Sequence, residues 1–517
     1  MDERVGQLDS GRIRAETIVL LVIASGTALR LLLAATIGMS VDESYAVSVA
    51  RRLDLAYFDH SPLSFWIPGI TARLLHTENA VVMRLPFILL FAGTTWLMFR
   101  LGARLFDRRA GAYAALALNV APVFSVSDGG WVLPDGPLIF FMLAAALCLA
   151  RIFFDQPGPA RPMRWWLAAG VATGLALLSK YHGAFLPLGV LLFVVATRER
   201  RRCLATPGPY VAAGVAALLF LPVVVWNARH DWVSFRFQLG RGGASGGIHA
   251  LAMLQNLGGQ MGYLLPWIWV PLVWLLARAL ARGPREERAW FLACLAIGPI
   301  ALFNLVSLGG KPGLPHWPMP GYLMLFPLLG GAIADRLARP DRARGTRRWL
   351  GWAVATFLVI LALVATQTAT GWMTRAAPSL FRRGDPTLEA VDWRDLRPYL
   401  AARGLLDRPD TFVAATSWIE AGKTSYALGP GVPVLCLSTN PHQFGYQYDQ
   451  RAFLGQDAVL VDRTRGSSDA DRRYAPYFAS IRRVGMVSIT RGGRPALDVT
   501  VFLARAFRRP YPSELPP

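Results

Sequence analysis

Residues 16–50 read "ETIVLLVIASGTALRLLLAATIGMSVDESYAVSVA", and the chain changes character within them. From 16 to 37 nearly every side chain is apolar. As a helix, that run is long enough to cross a bilayer core of about 30 Å. Asp42 and Glu43 follow almost at once, where ionisable groups are costly and usually functional. The first feature predicts a membrane protein, and the second a site at the mouth of its first span.

Similar runs recur near 80–100, 110–127, 134–154, 164–180, 183–197, 209–227, 260–280, 288–308, 318–337 and 347–369. Together they predict a polytopic α-helical membrane protein of about eleven spans, with the fifth and sixth short enough to form one re-entrant pair. A chain of 517 residues that is 54% hydrophobic, with a mean hydropathy of +0.36, fits that class better than a soluble one. The first run has a basic flank, as a signal peptide has. Its apolar core is too long for one, so it is expected as an uncleaved anchor.

The net charge of +21 would suit a nucleic-acid partner, but its distribution predicts topology instead. Loops 1–14, 100–109, 151–164, 198–202, 278–288 and 336–348 hold 24 Lys or Arg, whereas the intervening loops 38–79, 124–133, 180–182, 228–256 and 308–317 hold 8. The second set is the longer in total. This asymmetry places the N-terminus in the cytoplasm and the acid-bearing loop outside, with membrane lipid and no nucleic acid as partner. Cys148, Cys203, Cys294 and Cys436 offer no disulfide framework, because only Cys436 falls in an outer domain.

Loop 38–79 repeats Val41, Tyr45, Val49 and Leu53 every four positions and continues as "SPLSFWIPGITARLL". Both parts predict short interfacial helices roofing the spans, so that residues 1–370 form one membrane domain. After 370 the pattern changes. "TFVAATSW", "VPVLCLS", "DAVLVDR" and "MVSIT" predict strands, and "IEAGKTSYALG" a helix closed by Gly429. Residues 371–517 are therefore expected as a small extracytoplasmic α/β domain, joined by a linker at 384–398.

All seven histidines and all three lysines (Lys180, Lys311 and Lys423) map to the outer side. Asp42–Glu43 reads either as a helix N-terminus, where acids are favoured, or as a base or orienting carboxylate. Asp59–His60 reads as an interfacial turn before Pro62, or as a ligand to phosphate or metal. Asp135 follows Pro134 and caps a helix or joins the site. Arg84, inside the second span, needs an acid or a phosphate as partner. Lys180 complements a helix end or binds an anion. Acids and cations on one membrane face suit activation of a hydroxyl beside a lipid-linked phosphate. A membrane transporter or flippase is the alternative; it would need polar groups near the midplane. No nucleotide-binding loop is present.

The ordered motifs "DE", "YFDHSPL", "RLP", "LPDGPL", "LLSKYHG" and "PHWPMPGY" resemble the GT-C glycosyltransferases of the bacterial protein-mannosyltransferase-like branch, whose superfamily includes the lipid A aminoarabinose transferases. The likeness covers residues 15–340, and "SWIEAGKTSYALG…PVLCLSTNPHQFGY" resembles the outer domain of one bacterial subgroup. It implies the GT-C fold and an inverting transfer from a polyprenyl-phosphate-linked sugar to an envelope glycan, lipid or protein, on the periplasmic side of the inner membrane. It implies catalytic roles for Asp42, Glu43 and Asp135. Arg84, His60 and Lys180 would bind the donor phosphate, with Asp59, Tyr181 and His316 in support. His60 stands where some relatives carry lysine, and Ser61 where many carry proline. Some relatives hold a divalent metal near the first-loop acid. Asp59, His60 and His316 lack compact ligand spacing, so no metal or other cofactor is assigned. The "STNPHQFGY" segment prompts the expectation that the outer domain selects the acceptor.

Overall fold

The computed structural model describes the chain except residues 1, 157, 160, 243–246, 311–312, 464–468 and 515–517. The membrane half is built from helices α1 (Asp2–Thr36), α2 (Val41–Ala50), α3 (Leu63–Leu75), α4 (Ala80–Leu105), α5 (Arg108–Asn119), α6 (Asp135–Phe154), α7 (Pro162–Ser179), α8 (Phe185–Ala196), α9 (Gly208–Arg229), α10 (Val233–Gly242), α11 (Ala250–Leu264), α12 (Pro266–Arg282), α13 (Glu287–Leu308), α14 (Met319–Leu323), α15 (Phe326–Leu337) and α16 (Pro340–Thr370).

Each of the eleven apolar runs falls on helical residues. Among the described residues, six helical stretches are long and apolar enough to cross a bilayer unaided: 15–36, 80–105, 135–154, 208–229, 266–308 and 340–370. The fifth is 43 residues long and carries two of the expected runs. It divides at Gly283, whose φ of 56° suits a residue without Cβ, and α12 and α13 pack on each other. The expected re-entrant pair takes another form: 181–196 meets 198–205 at a bend of 115°. The third run also breaks. After α5, Pro122 starts a single π-wound turn, Val123–Asp128. Arg30 of α1 secures that turn through Ser125 O at 2.7 Å, Asn119 Oδ1 at 3.0 Å and the face of Phe91.

The two helices expected as a roof differ in their cover. Helix α3 exposes Ile70, Leu74 and Leu75, as an interfacial helix does. Helix α2 is covered on nearly every side, because the C-terminal domain sits on it. That domain is a five-stranded sheet, β1 (Thr411–Ala415), β2 (Val434–Cys436), β3 (Asp457–Arg463), β4 (Phe478–Arg491) and β5 (Arg494–Phe507), in order β2-β1-β3-β5-β4. Parallel pairs β1–β2 and β1–β3 pass to antiparallel β3–β5 and β5–β4, with Val413 opposite Val434 and Val459. Strand β5 is missing from the sequence reading, and β4 is longer than "MVSIT".

Side chains alternate across the sheet. Phe412, Leu435, Leu460 and Phe502 form one core, and Val413, Val434, Val459 and Val501 the other. The second core also contains Met39, Tyr45, Val47 and Val49, so roof and sheet bury one another. The backbones come close at Gly422, where a Cβ would lie 3.0 Å from Tyr45 Cα. The stretch 384–398, expected as a linker, is packed: Ala390, Val391, Trp393 and Leu396 are all buried.

Candidate active site

The start of α2 explains one of its two acids. Ser40 caps the helix, its Oγ accepting from the Glu43 N–H, while Glu43 Oε2 accepts from the Ser40 N–H at 2.9 Å. Glu43 also takes Arg84 Nε and Nη2, both at 2.7 Å, and the Val132 N–H at 3.1 Å. The other Arg84 hydrogens go to the carbonyls of Ala34, Ile37 and Gly38. All five guanidinium donors are therefore occupied. The pair is sealed, at 2% and 0% side-chain exposure. Burial pushes the Glu43 carboxyl up, but Arg84 outweighs it and holds the group below the usual range. This geometry corrects two expectations. Arg84 has no donor left for a phosphate, and Glu43 faces no reactant. The two residues brace the junction of α1, α2 and α4.

Asp42, one position earlier, points elsewhere. Its carboxylate keeps solvent access in a recess walled by protein and accepts no hydrogen bond from the described residues. Burial, followed by the negative charges of Glu389, Asp59 and Glu43, pushes it up to about 6, with Lys180 opposing. A carboxylate with free lone pairs and that basicity is equipped to accept a proton.

Asp135 opens α6 and Lys180 closes α7, and the fold joins them. Lys180 Nζ donates to both Asp135 oxygens, at 2.8 and 2.9 Å, and both residues are buried. Lys180 also lies within electrostatic range of Asp42. His182 and His316 lie within electrostatic range of Asp135. Among the described residues the buried His182 Nε2 has no hydrogen-bond partner, and its ring stacks on Phe303 at 4.9 Å. Tyr181 turns away between Phe220 and Phe235, its hydroxyl near Asn227 and Ser234 without a well-formed hydrogen bond.

Asp128, at the end of the π turn, is missing from the sequence candidates. It is 5% exposed, accepts no hydrogen bond from the described residues and feels both Asp135 and Lys180. Its signal was present: an acid closing an apolar run before Gly129–Gly130. Lys311 lies outside the described residues.

Asp59 is buried and fully engaged. Its Oδ1 accepts from the Tyr45 hydroxyl, and its Oδ2 lies 3.0 Å from His442 Nδ1. Burial raises the carboxyl, but the hydrogen bond from His442 and the charge of His60 win and keep it low. His60 follows, half-buried, within electrostatic range of Asp59 and His182. Among the described residues, no three His, Cys, Asp or Glu side chains gather as a metal ion would require, so Asp59, His60 and His316 form no such set.

A cavity of about 820 Å³ lies behind α2, between Val47, Arg51, Arg73, Arg394, Arg397 and Tyr426. Val47 and Arg51 are on the helix face opposite Asp42, so this is not the recess that holds the acids.

Residues 59–226 match the model of the dolichyl-phosphate-mannose-protein mannosyltransferase family. The undecaprenyl phosphate-alpha-4-amino-4-deoxy-L-arabinose arabinosyl transferase of Erwinia tasmaniensis is 26% identical, over 61% of this chain and 57% of its own. The lipid A galacturonosyltransferase RgtD of Rhizobium johnstonii is 25% identical, over 55% and 58%. The chain thus spans little more than half the length of these relatives. ArnT of Cupriavidus metallidurans, solved bound to undecaprenyl phosphate, superposes with a TM-score of 0.62 at 18% identity, covering 93% of this chain and 97% of that one. The shared fold extends over both the membrane half and the sheet domain, and the protein is a polytopic membrane protein with the fold of ArnT, similar in sequence to the mannosyltransferase family model and to these two transferases over part of its length.

Proposed function

We propose that the protein transfers a sugar, with inversion, from a polyprenyl-phosphate donor to an envelope acceptor at the periplasmic face of the bacterial inner membrane. The observation that carries this reading is Asp42: a carboxylate that accepts no hydrogen bond from the described residues, pushed up to about 6 and within electrostatic range of the Lys180 that Asp135 holds. The acceptor hydroxyl approaches C1 of the sugar from the face opposite the phosphate. Asp42 takes or orients its proton as the new C1–O bond forms. The bond from C1 to the phosphate oxygen breaks, and the phosphate departs with its electron pair. Lys180 and His60 stabilise the developing charge, in place of the Arg84 that the sequence suggests. Asp135 holds Lys180 in position. Because the phosphate is already a fair leaving group, placement of hydroxyl and sugar contributes more than acid catalysis. The name of the Rhizobium relative favours a glycolipid acceptor of the lipid A kind.

The test compares envelope glycolipids by mass spectrometry with the wild-type protein, with Asp42→Asn and without the protein. A sugar-bearing product that requires both the protein and Asp42 is expected. Uptake of a lipid-linked or anionic solute by vesicles, with no glycan product, would overturn the reading in favour of a transporter.

A further inference from the structure

The sheet domain reaches into the roof at one point. Residues 57–60 run between α2 and α3 and are held from both sides. On one side Ser234 Oγ donates to Tyr57 O at 3.0 Å, and Gln238 Nε2 donates to Asp59 O at 2.7 Å. On the other side stand His442 and Gln443, which follow β2. Gln443 Oε1 accepts from the Phe58 N–H at 2.7 Å, and the Gln443 N–H donates to the Tyr45 hydroxyl at 3.0 Å. That hydroxyl passes its own hydrogen to Asp59 Oδ1 at 3.0 Å. His442 Nδ1 lies 3.0 Å from the second oxygen. A carboxylate oxygen only accepts, so Nδ1 carries the hydrogen.

The His442 ring has little freedom. It stacks on Trp418 at 4.6 Å and meets Phe58, Phe237 and Tyr45 edge-on at 5.8, 5.8 and 6.1 Å. Its backbone is left-handed, with φ at 52°, a conformation that costs energy for most residues and persists when the surroundings dictate it. Asp59 has both oxygens engaged by neighbours. The residue next in the chain is His60, within electrostatic range of Asp59 and His182.

We propose that His442 is a positioning residue: through Asp59 it fixes His60 for the donor phosphate, so that the sheet domain completes the active site. The inference rests on the transferase reading for His60's role, while the clamp itself stands on the contacts above.

The test uses the full chain in lipid nanodiscs, with His442→Ala and His442→Asn. Asparagine places its Nδ2 hydrogens close to the position of the imidazole Nδ1–H and tolerates the left-handed backbone. Two readouts are taken. Amide exchange over residues 56–61 should quicken about tenfold in H442A, as the loss of one charge-assisted hydrogen bond allows, and return to near wild type in H442N. Binding of undecaprenyl phosphate should weaken about tenfold in H442A, with recovery in H442N. Unchanged exchange in H442A overturns the clamp. Faster exchange with undiminished binding overturns the positioning role. A wild-type protein without affinity for undecaprenyl phosphate overturns both the transferase reading and His442's role toward the phosphate, while the exchange readout still decides the clamp.

Discussion

Glu43→Gln gives the sharpest separation between bracing and catalysis. The substitution leaves Arg84 charged, with its surroundings at 2% and 0% exposure. Breaking a buried pair by neutralising one partner costs about 3–5 kcal/mol, because the remaining charge keeps its desolvation penalty without its counter-ion. The amide can still accept from Val132 or Arg84, which favours the lower end of that range. At about 1 °C per kcal/mol for a chain of 517 residues, the thermal midpoint should fall by about 3–5 °C. Arg84→Met should cost a similar amount, since it strands Glu43 along with the carbonyls of Ala34, Ile37 and Gly38. Combining Glu43→Leu with Arg84→Met removes the stranded charge, yet leaves the Val132 N–H without its acceptor, so recovery should be incomplete. Thermal unfolding in detergent, followed by tryptophan fluorescence, measures the shifts. Undecaprenyl phosphate binding is measured on the fraction that stays folded. An Arg84→Met protein with an unchanged midpoint but lost binding would refute the bracing role and return Arg84 to the phosphate.

Further outcomes follow from the other groups. Asp42→Asn should abolish transfer without destabilising the fold, because no hydrogen bond from the described residues is lost and a charge that burial penalises is removed; a large fall in midpoint would mean that Asp42 is structural. Transfer by the wild type should rise with pH along a limb centred near 6, as Asp42 ionises, and a flat profile from pH 5 to 7 would remove it as the base. The sign is distinct from stability: an acid whose folded pKa is raised favours the folded state at low pH, so that contribution declines as pH climbs from about 4 to 6. Lys180→Met should destabilise by about 3 kcal/mol by stranding Asp135, and adding Asp135→Asn should restore stability without restoring turnover. Deleting 371–517 should leave no stable membrane half, since Tyr45, Val47 and Val49 would lose their cover and Met39 O its bond from Lys423 Nζ. An active truncation with an altered acceptor range would instead support a domain that only selects the acceptor.

Much of this was legible in the chain. A run such as 16–37 announces its environment by composition alone, because a bilayer requires about twenty apolar residues in a row. Strands β1 and β3 were legible from short apolar runs rich in β-branched residues. Strand β5 was not, because its start, "RPALDVT", mixes proline and charge before the apolar part begins. The broken spans were illegible for a related reason: hydropathy does not record where Pro122 or Gly283 interrupts the hydrogen-bond ladder.

The sequence by itself determined that acids and a few cations fall at the ends of greasy helices, for ionisable groups are tolerated only there or in pairs. Only the tertiary structure decided which acid meets which cation. Arg84 and Lys180 look equally suited to a phosphate as residue types. One is consumed by Glu43, 41 positions away along the chain, and the other is held by Asp135 within electrostatic range of Asp42. The reason is that a charge's role is set by what lies within a few ångströms of it. Those neighbours come from segments that the linear order leaves far apart, as His442 and Asp59 do across 383 residues.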